Sequence, residues 1–337
     1  MKRDMKEWVA QILQAQDRKT IPVMTYPGLR LIDKSIPELM NDAQVQFQCI
    51  HALTERYPAA AALTIMDLSI EAQAFGSRIK YSDKETPSVL GKIISTEEEA
   101  RNLRIPTLEE GRMNICLEAA RTAALEIRDR PVLGGHIGPF SLAGRLMDLT
   151  GVMIAMMEEP VTVHILLEKC TRFLIEYSKA FKQNGANGVI IAEPAAGLLP
   201  PEKCSEFSSA YIKILVDEVQ DDNFMVILHN CGNTVRLVPS MLSTGAMGLH
   251  FGNAVNMRDI MPLVPDNILA FGNIDPAAVI GNGTADEVEQ AVNKLLEEMK
   301  PYRNFVLSSG CDIPTTTPLD NVDAFFRVLE KYNSKNV

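Results

Sequence analysis

The sequence has few aromatic residues, with one tryptophan and an aromatic share of 6%, and it has no excess of positive charge. Its 337 residues include 33 Lys and Arg against 43 Asp and Glu, a net charge of −10. Phosphate contacts need clustered cations, so we expect no nucleic-acid partner. Long apolar runs are also missing. The longest uncharged stretch, between Arg236 and Arg258, contains proline, glycines and asparagines, so we expect no membrane-spanning helix.

Paired cysteine spacing is absent as well. The first residues are Met-Lys-Arg-Asp followed by a charged amphipathic stretch, which does not resemble a secretory signal. We therefore expect a reducing, cytoplasmic location with free thiols. Most of the six cysteines are expected to be small buried core residues: Cys49, Cys116, Cys170 and Cys204. The group Met153, Met156 and Met157 is also expected to pack in the core.

Short apolar runs alternate with longer amphipathic ones along the whole chain. The length suits about two domains or a single α/β barrel. Strands are predicted to begin near residues 21, 61, 131, 188, 224, 247, 268 and 304, each followed by a helix. This pattern predicts an α/β fold, a (β/α)8 TIM barrel forming one domain over 1–337, with a helical extension at 1–19 and an excursion at 76–106. A doubly wound sheet competes, but no G-x-G-x-x-G follows the first strand.

Polar or reactive residues follow most of these predicted strands. In a barrel, functional side chains sit at the carboxyl ends of the strands. The positions are Asp67, His136, Glu193, His229, Cys231, His250, Asp275 and Cys311. Unpaired polar groups at a barrel mouth carry a desolvation cost. Their recurrence at the ends of the predicted strands therefore indicates a functional site.

One of these groups has the chemistry of a metal site. Residues i and i+2 of an extended segment point to the same side, so His229 and Cys231 can act together. Cys311 follows the last strand and can reach the same mouth. One imidazole and two thiolates suit Zn²⁺, and three protein ligands leave a fourth position open. Glu193 is a candidate fourth or exchangeable ligand. Taken singly, each cysteine would more often be a buried core residue.

Several motifs together resemble the uroporphyrinogen decarboxylase superfamily, which has a (β/α)8 barrel, over nearly the whole chain. They are MDLSIEAQAFG at 66–76, GPFSLAG at 138–144, EP at 193–194, HNCG at 229–232, FGNIDP at 271–276, and GCDIP at 310–314 leading to TP at 317–318. The decarboxylases carry an arginine-rich segment that grips substrate carboxylates, and residues 22–30 have no such cluster. The His-x-Cys…Cys set instead resembles the zinc ligands of the methylcobalamin:coenzyme M methyltransferase branch.

The resemblance to that branch implies transfer of a methyl group from a methyl-Co(III) corrinoid to a thiol such as coenzyme M. It implies Zn²⁺ held by His229, Cys231 and Cys311. Glu193 and Asp67 would be catalytic, and a further set would contact the substrate or orient the ligands: His250, Asp275, Tyr26 and Asn230. The corrinoid is expected on a separate carrier protein, because no Asp-x-His-x-x-Gly stretch is present.

Two alternatives to the methyltransferase stay open at this stage. The first is a metal-independent decarboxylase acting on a smaller substrate. The second is a non-enzymatic corrinoid-binding partner with a structural zinc.

Overall fold

The molecule is built around one parallel sheet. The structure is a computed structural model and describes residues 2–83 and 85–335. Its strands are β1 (Ala62–Leu63), β2 (Arg78–Lys80), β3 (Ser88–Leu90), β4 (Val132–Ile137), β5 (Gly188–Ala192), β6 (Met225–Asn230), β7 (Gly248–Phe251), β8 (Leu269–Ile274) and β9 (Phe305–Ser309). Seven of them form the sheet in the order β1-β4-β5-β6-β7-β8-β9, and each neighbour is parallel. Parallel neighbours require the crossover helices that the sequence predicts.

Helices connect the strands and cover the outside of the sheet. The α-helices are α1 (Met5–Gln14), α2 (Leu29–Ile32), α3 (Ile36–Asn41), α4 (Ala43–Arg56), α5 (Ile70–Ala74), α6 (Glu97–Asn102), α7 (Met113–Glu126), α8 (Pro139–Met147), α9 (Leu149–Glu158), α10 (Pro160–Gln183), α11 (Pro201–Cys204), α12 (Ala210–Val219), α13 (Val238–Leu242), α14 (Met257–Ile260), α15 (Ala285–Glu298) and α16 (Leu319–Lys335). Short 3₁₀ segments lie at Tyr26–Gly28, Pro194–Leu198, Val235–Leu237 and Met261–Leu263, and π segments at Ser205–Ser209 and Pro276–Gly281.

The eighth position of the barrel belongs to residues 20–23. Thr20 pairs in parallel with Leu307, and the amide of Ile21 donates to the Leu307 carbonyl at 3.0 Å. On the other side, the amide of Ala60 donates to the Thr20 carbonyl at 2.8 Å. The segment therefore lies between β9 and the chain that leads into β1, as a barrel requires. This arrangement confirms the barrel fold.

The first predicted strand is shorter than the sequence indicated. Its pairing consists of the isolated bridge at Thr20 rather than a continuous ladder over residues 21–25. Pro22 has no N–H to give to a ladder. The next amide, of Val23, donates to the side chain of Ser309 instead of to a backbone carbonyl.

Two other predicted elements divide into smaller pieces. The helix predicted over 37–56 is broken at Asp42, whose side chain accepts from the Gln44 and Val45 amides and so begins α4. The excursion at 76–106 contains the antiparallel pair β2–β3 and then α6.

Apolar side chains form two layers, one inside the barrel and one between the barrel and its helices. The interior includes Ile227, Phe271 and Val306, and the outer layer contains most of the remaining buried residues. The four cysteines expected in the core are all at most 3% exposed. Met156 is buried as expected, but the expectation for Met157 was wrong, since it is 71% exposed.

No single helix among the described residues is long and apolar enough to cross a membrane. Helices α8 and α9, which are bent by 103° relative to each other, reach the required length and apolar composition only when they are taken together.

Candidate metal centre

The structure brings His229, Cys231 and Cys311 together at the carboxyl ends of the strands. His229 lies near the end of β6, two positions beyond the interior residue Ile227, so its ring also faces the barrel interior. Cys231 follows β6, and Cys311 follows β9 by two residues. One potential ligand atom from each of the three lies within 4.8 Å of the others. This convergence is what the sequence predicted.

The separation of the two sulfurs fits one tetrahedral ion. The Sγ atoms of Cys231 and Cys311 are 3.9 Å apart. Two sulfurs that each lie about 2.3 Å from a tetrahedral Zn²⁺ are separated by about 3.8 Å. Cys231 Sγ is 3.1 Å from His229 Nε2. One nitrogen and two sulfurs form a donor set that selects zinc over magnesium or calcium.

The two thiols perturb each other's pKa. The contact between the two thiols lowers the pKa of Cys311 and raises that of Cys231. The pair therefore gives up its first proton readily, and a thiolate is the form that binds metal.

Two glycines shape the turn that carries Cys231. Gly232 has a φ of +82°, a left-handed conformation that glycine adopts without strain. Gly197, in the 3₁₀ segment Pro194–Leu198, packs directly on this turn. A Cβ at Gly197 would lie 1.9 Å from the carbonyl oxygen of Cys231. The segment after β5 thus holds Cys231 in place.

His250 joins this group from the next strand. It is in register with His229 across β6 and β7, so both rings face the same side of the sheet. The two Nδ1 atoms are 2.8 Å apart, and His250 is 1% exposed. The structure therefore places His250 against a predicted metal ligand, not against open solvent.

Glu193 lies outside the three-residue cluster. Its Oε1 accepts from the Ser141 amide at 3.2 Å and its Oε2 accepts from the Ser208 hydroxyl at 3.0 Å. Complete burial raises the pKa of this carboxyl to about 8. In this arrangement Glu193 connects the end of β5 to the beginning of α8.

Asp67 is occupied by an ion pair. One carboxylate oxygen accepts from the amide and hydroxyl of Ser69, and the other accepts from Arg112 at 2.6 Å. Asp275 is likewise occupied: it caps the π segment Pro276–Gly281 through two backbone amides and accepts from Asn253.

Tyr26 and Asn230 are buried at the mouth with unused polar atoms. The Tyr26 hydroxyl and the Asn230 Oδ1 have no hydrogen-bond partner among the described residues. Burial, assisted by Asp312 and Asp67, raises the pKa of Tyr26 well above its ordinary value. Buried polar atoms without a protein partner are typical of a site that takes a further ligand.

A cavity of about 670 Å³ opens beside Cys231. Lys92 and Arg145 contribute positive charge to its wall, and Leu149 and Leu198 form part of its rim. Lys92 lies 3.9 Å from Asp148, whereas Arg145 has no hydrogen bond or ion pair to any described residue. A guanidinium free to bind an anion thus shares a cavity with a predicted metal ligand.

Sequence reasoning missed three residues of this region: Arg112, Arg145 and Ser308. Arg145 directly follows the 138–144 motif, and Ser308 has interior parity on β9, so both carried a weak signal. Nothing in the sequence around Arg112 indicates that it is buried, because its partner Asp67 is 45 residues away.

A parallel barrel with three convergent N and S atoms beside a cavity at the carboxyl ends of its strands defines a barrel enzyme with a candidate metal centre. The profile of the uroporphyrinogen decarboxylase (URO-D) family matches residues 6–332, and the chain belongs to this family.

Named relatives identify the class of enzyme within the family. The chain is 32% identical to the methylcobamide:CoM methyltransferase MtbA of Methanosarcina acetivorans, over 92% of this chain and 94% of that protein. It is 30% identical to the protein of the same name from Methanosarcina mazei, over 88% and 87%. A solved methyltransferase structure from Methanosarcina mazei superposes with a TM-score of 0.87 at 22% identity, over 98% of this chain and 99% of that one, which shows the shared fold. The chain is an enzyme of the methyltransferase class.

Proposed function

We propose that this protein transfers a methyl group from a methylated corrinoid to the sulfur of a small thiol, with Zn²⁺ held by His229, Cys231 and Cys311. The observation that carries the proposal is the convergence of these three ligand atoms within 4.8 Å at the barrel mouth. The names of the relatives, methylcobamide:CoM methyltransferases, support the same donor and acceptor.

The residues present suit this reaction. Bound Zn²⁺ supplies the chemistry of lowering the pKa of a coordinating thiol, so that the acceptor sulfur is a thiolate at neutral pH. His229, Cys231 and Cys311 fill three positions and leave room for that sulfur. In the transfer, a sulfur lone pair forms the S–C bond to the methyl group. The Co–C bond breaks with both electrons remaining on cobalt, so Co(III) becomes Co(I).

The cavity beside Cys231 is the proposed acceptor site. Its free guanidinium, Arg145, and the nearby Lys92 would pair with an anionic group on the acceptor. A thiol with a short anionic tail, such as coenzyme M, offers a sulfur for the metal beside Cys231 and an anionic group for Arg145 and Lys92.

The methylated corrinoid is proposed to arrive on a carrier protein that docks beside the same cavity. Exposed apolar residues on α9 and the neighbouring 3₁₀ segment surround an open groove of about 590 Å³. We call Leu149, Ile154, Met157 and Leu198 the α9 patch; they are 41, 51, 71 and 64% exposed. Leu149 and Leu198 line both the groove and the cavity, so a carrier seated on the patch would face the acceptor site.

We place the reaction in the cytoplasm, as the sequence predicts, because two thiols 3.9 Å apart must stay reduced to bind a metal. Glu193 and Asp67 are proposed to contribute by holding the walls of the mouth. Direct ligation by Glu193 would require its bonds to Ser141 and Ser208 to break.

Metal content and methyl transfer test the proposal together. The purified wild type is expected to hold about one zinc per chain and to convert methylcobalamin and coenzyme M to cob(I)alamin and the methyl thioether. Cys311→Ser removes a proposed direct ligand, so it should lose the metal and reduce transfer by at least the about 10- to 100-fold that is typical for loss of an outer partner. Cys204→Ala, which alters a buried thiol outside the cluster, should keep both.

Other results would point to the alternatives. Release of CO₂ in the presence of a chelator would support a metal-independent decarboxylase. X-ray absorption showing four protein ligands, unchanged on addition of thiol, would support a structural zinc. Zinc-free wild type with full methyl transfer would contradict the proposed metal role.

A further inference from the structure

A chain of hydrogen bonds crosses the barrel interior from the predicted ligand His229 to the backbone of the first strand position. His229 Nδ1 lies 2.8 Å from His250 Nδ1, and His250 Nε2 lies 2.9 Å from the Ser308 hydroxyl oxygen. The Ser308 hydroxyl in turn lies 2.7 Å from the carbonyl oxygen of Ile21. These groups are nearly inaccessible: His229, His250 and Ser308 are 2%, 1% and 0% exposed.

The Ile21 carbonyl, at the end of this series of hydrogen bonds, determines which group donates in each of them. A carbonyl oxygen can only accept, so the Ser308 hydroxyl proton lies on the bond to Ile21. The Ser308 oxygen therefore accepts from His250, which requires a proton on His250 Nε2. A neutral imidazole has one N–H, so His250 Nδ1 is an acceptor. No carboxylate among the described residues hydrogen-bonds His250 to favour a second proton.

The last bond then determines the form of His229. Its Nδ1 must donate to His250 Nδ1, so Nδ1 carries the proton and Nε2 carries the lone pair. That Nε2 is the atom 3.1 Å from Cys231 Sγ. Metal binding needs a lone pair on the nitrogen that faces the ion, and the hydrogen bond of the other nitrogen decides which one has it.

We propose that Ser308 is a positioning residue for the metal centre: acting through His250, it fixes His229 in the Nδ1–H tautomer, with Nε2 free to bind the ion. This inference rests on the proposed metal site for its consequence, but the tautomer itself exists without metal. It also explains the polar layer formed by His229, His250 and Ser308 above the apolar interior of the barrel.

The molecule contains a matched control in a second buried histidine–serine pair. His136 Nδ1 lies 2.7 Å from the Ile137 carbonyl, and His136 Nε2 lies 2.9 Å from the Ser178 hydroxyl. By the same argument His136 has its proton on Nδ1 and accepts from Ser178 at Nε2. Ser178 is 0% exposed and is outside the three-residue cluster. Ser178→Ala therefore removes a comparable buried hydroxyl without touching the chain to His229.

Histidine ¹⁵N NMR on the reduced, metal-free protein tests the tautomer directly. The expected pattern is Nδ1–H for His229, Nε2–H for His250 and Nδ1–H for His136. Ser308→Ala should introduce the Nε2–H form at His229, Ser308→Thr should restore the wild-type pattern, and Ser178→Ala should leave His229 unchanged. Nε2–H at His229 in the wild type, or no change in Ser308→Ala, would overturn the inference.

Zinc affinity, measured by competition with a chromophoric chelator, tests the consequence. Loss of such an outer partner typically weakens metal binding by about 10- to 100-fold. We expect this loss in Ser308→Ala, recovery in Ser308→Thr, and a change of less than about twofold in Ser178→Ala. Wild-type affinity in Ser308→Ala would refute the positioning role. A wild type that binds no zinc yet shows the expected tautomers would instead refute the proposed function.

Discussion

Arg112 and Asp67 form a buried ion pair, with Arg112 Nη1 2.6 Å from Asp67 Oδ2 and side-chain exposures of 5% and 1%. Asp67 follows β1 and Arg112 immediately precedes α7, so the pair connects two parts of the barrel wall. Arg112 also donates to Gln73 and Ser69 on the segment after β1. Both carboxylate oxygens of Asp67, which the sequence predicts at the barrel mouth, are therefore hydrogen-bonded to neighbouring side chains.

Breaking this ion pair on one side is expected to destabilise the fold. Asp67→Asn or Arg112→Met leaves a buried charge without its partner, which typically costs about 3–5 kcal/mol. Because the two charges compensate each other, Asp67→Asn combined with Arg112→Met should cost less than the sum of the single changes. Urea unfolding of the four proteins measures this coupling, and strictly additive costs would contradict it. Glu110→Gln, which breaks an exposed pair with Arg104, is the control and should change little.

Glu71 is expected to make stability depend on pH. Complete burial raises the pKa of this carboxyl from 4.5 to about 8, and its Oε2 has no hydrogen-bond partner among the described residues. Below the pKa that Glu71 has in the unfolded chain, its carboxyl is protonated in both the folded and the unfolded protein. Between the unfolded and the folded pKa only the unfolded chain ionises, so the wild type loses stability as pH rises, by at most about 1.4 kcal/mol per pH unit.

The neutral variant Glu71→Gln removes this pH dependence. Its unfolding free energy relative to wild type should therefore improve steadily from pH 5 to pH 8 in urea titrations. The exposed change Glu126→Gln serves as the control and should show no such trend. A constant difference between Glu71→Gln and wild type across this pH range would show that Glu71 does not titrate as stated.

Arg145 is expected to select the acceptor by charge. Arg145→Gln removes the free guanidinium from the cavity, so the KM for an anionic thiol should rise by about 10-fold or more, the value of one charge-assisted hydrogen bond. The KM for a neutral thiol of similar size, 2-mercaptoethanol, should stay within about twofold. Steady-state kinetics with both thiols measure the difference. Arg121→Gln, on the exposed side of α7, is the matched control, and an equal effect on both thiols would argue against charge selection.

The α9 patch is expected to matter only when the donor is protein-bound. Met157→Glu or Leu198→Glu places a charge in an exposed apolar surface, which should weaken carrier docking. Transfer from a methylated corrinoid carrier should fall about 10-fold or more, while transfer from free methylcobalamin should remain near wild type. Gln290→Glu, at an exposed position of α15, is the control for the change in net charge. Equal losses with both donors would show that these residues act on the acceptor site instead.

The barrel and the convergence of His229, Cys231 and Cys311 were predictable because both depend on local signals. Apolar runs and turn residues mark the strands, and residues that follow parallel strands must meet at one end of a barrel. His229, Cys231 and Cys311 needed no other information. The exposed position of Met157 was mispredicted, because an apolar helix residue can pack in the core or remain on the surface, and helical spacing does not distinguish them.

The sequence by itself therefore determined the barrel, the buried cysteines and the three residues that converge at the mouth. Only the tertiary structure decided what each remaining polar side chain touches. It showed Asp67 paired with Arg112, Glu193 held by Ser141 and Ser208, and His229 connected through His250 to Ser308. The reason is physical: buried polar groups must find partners, and most of these partners are distant in sequence and become neighbours only when the barrel closes.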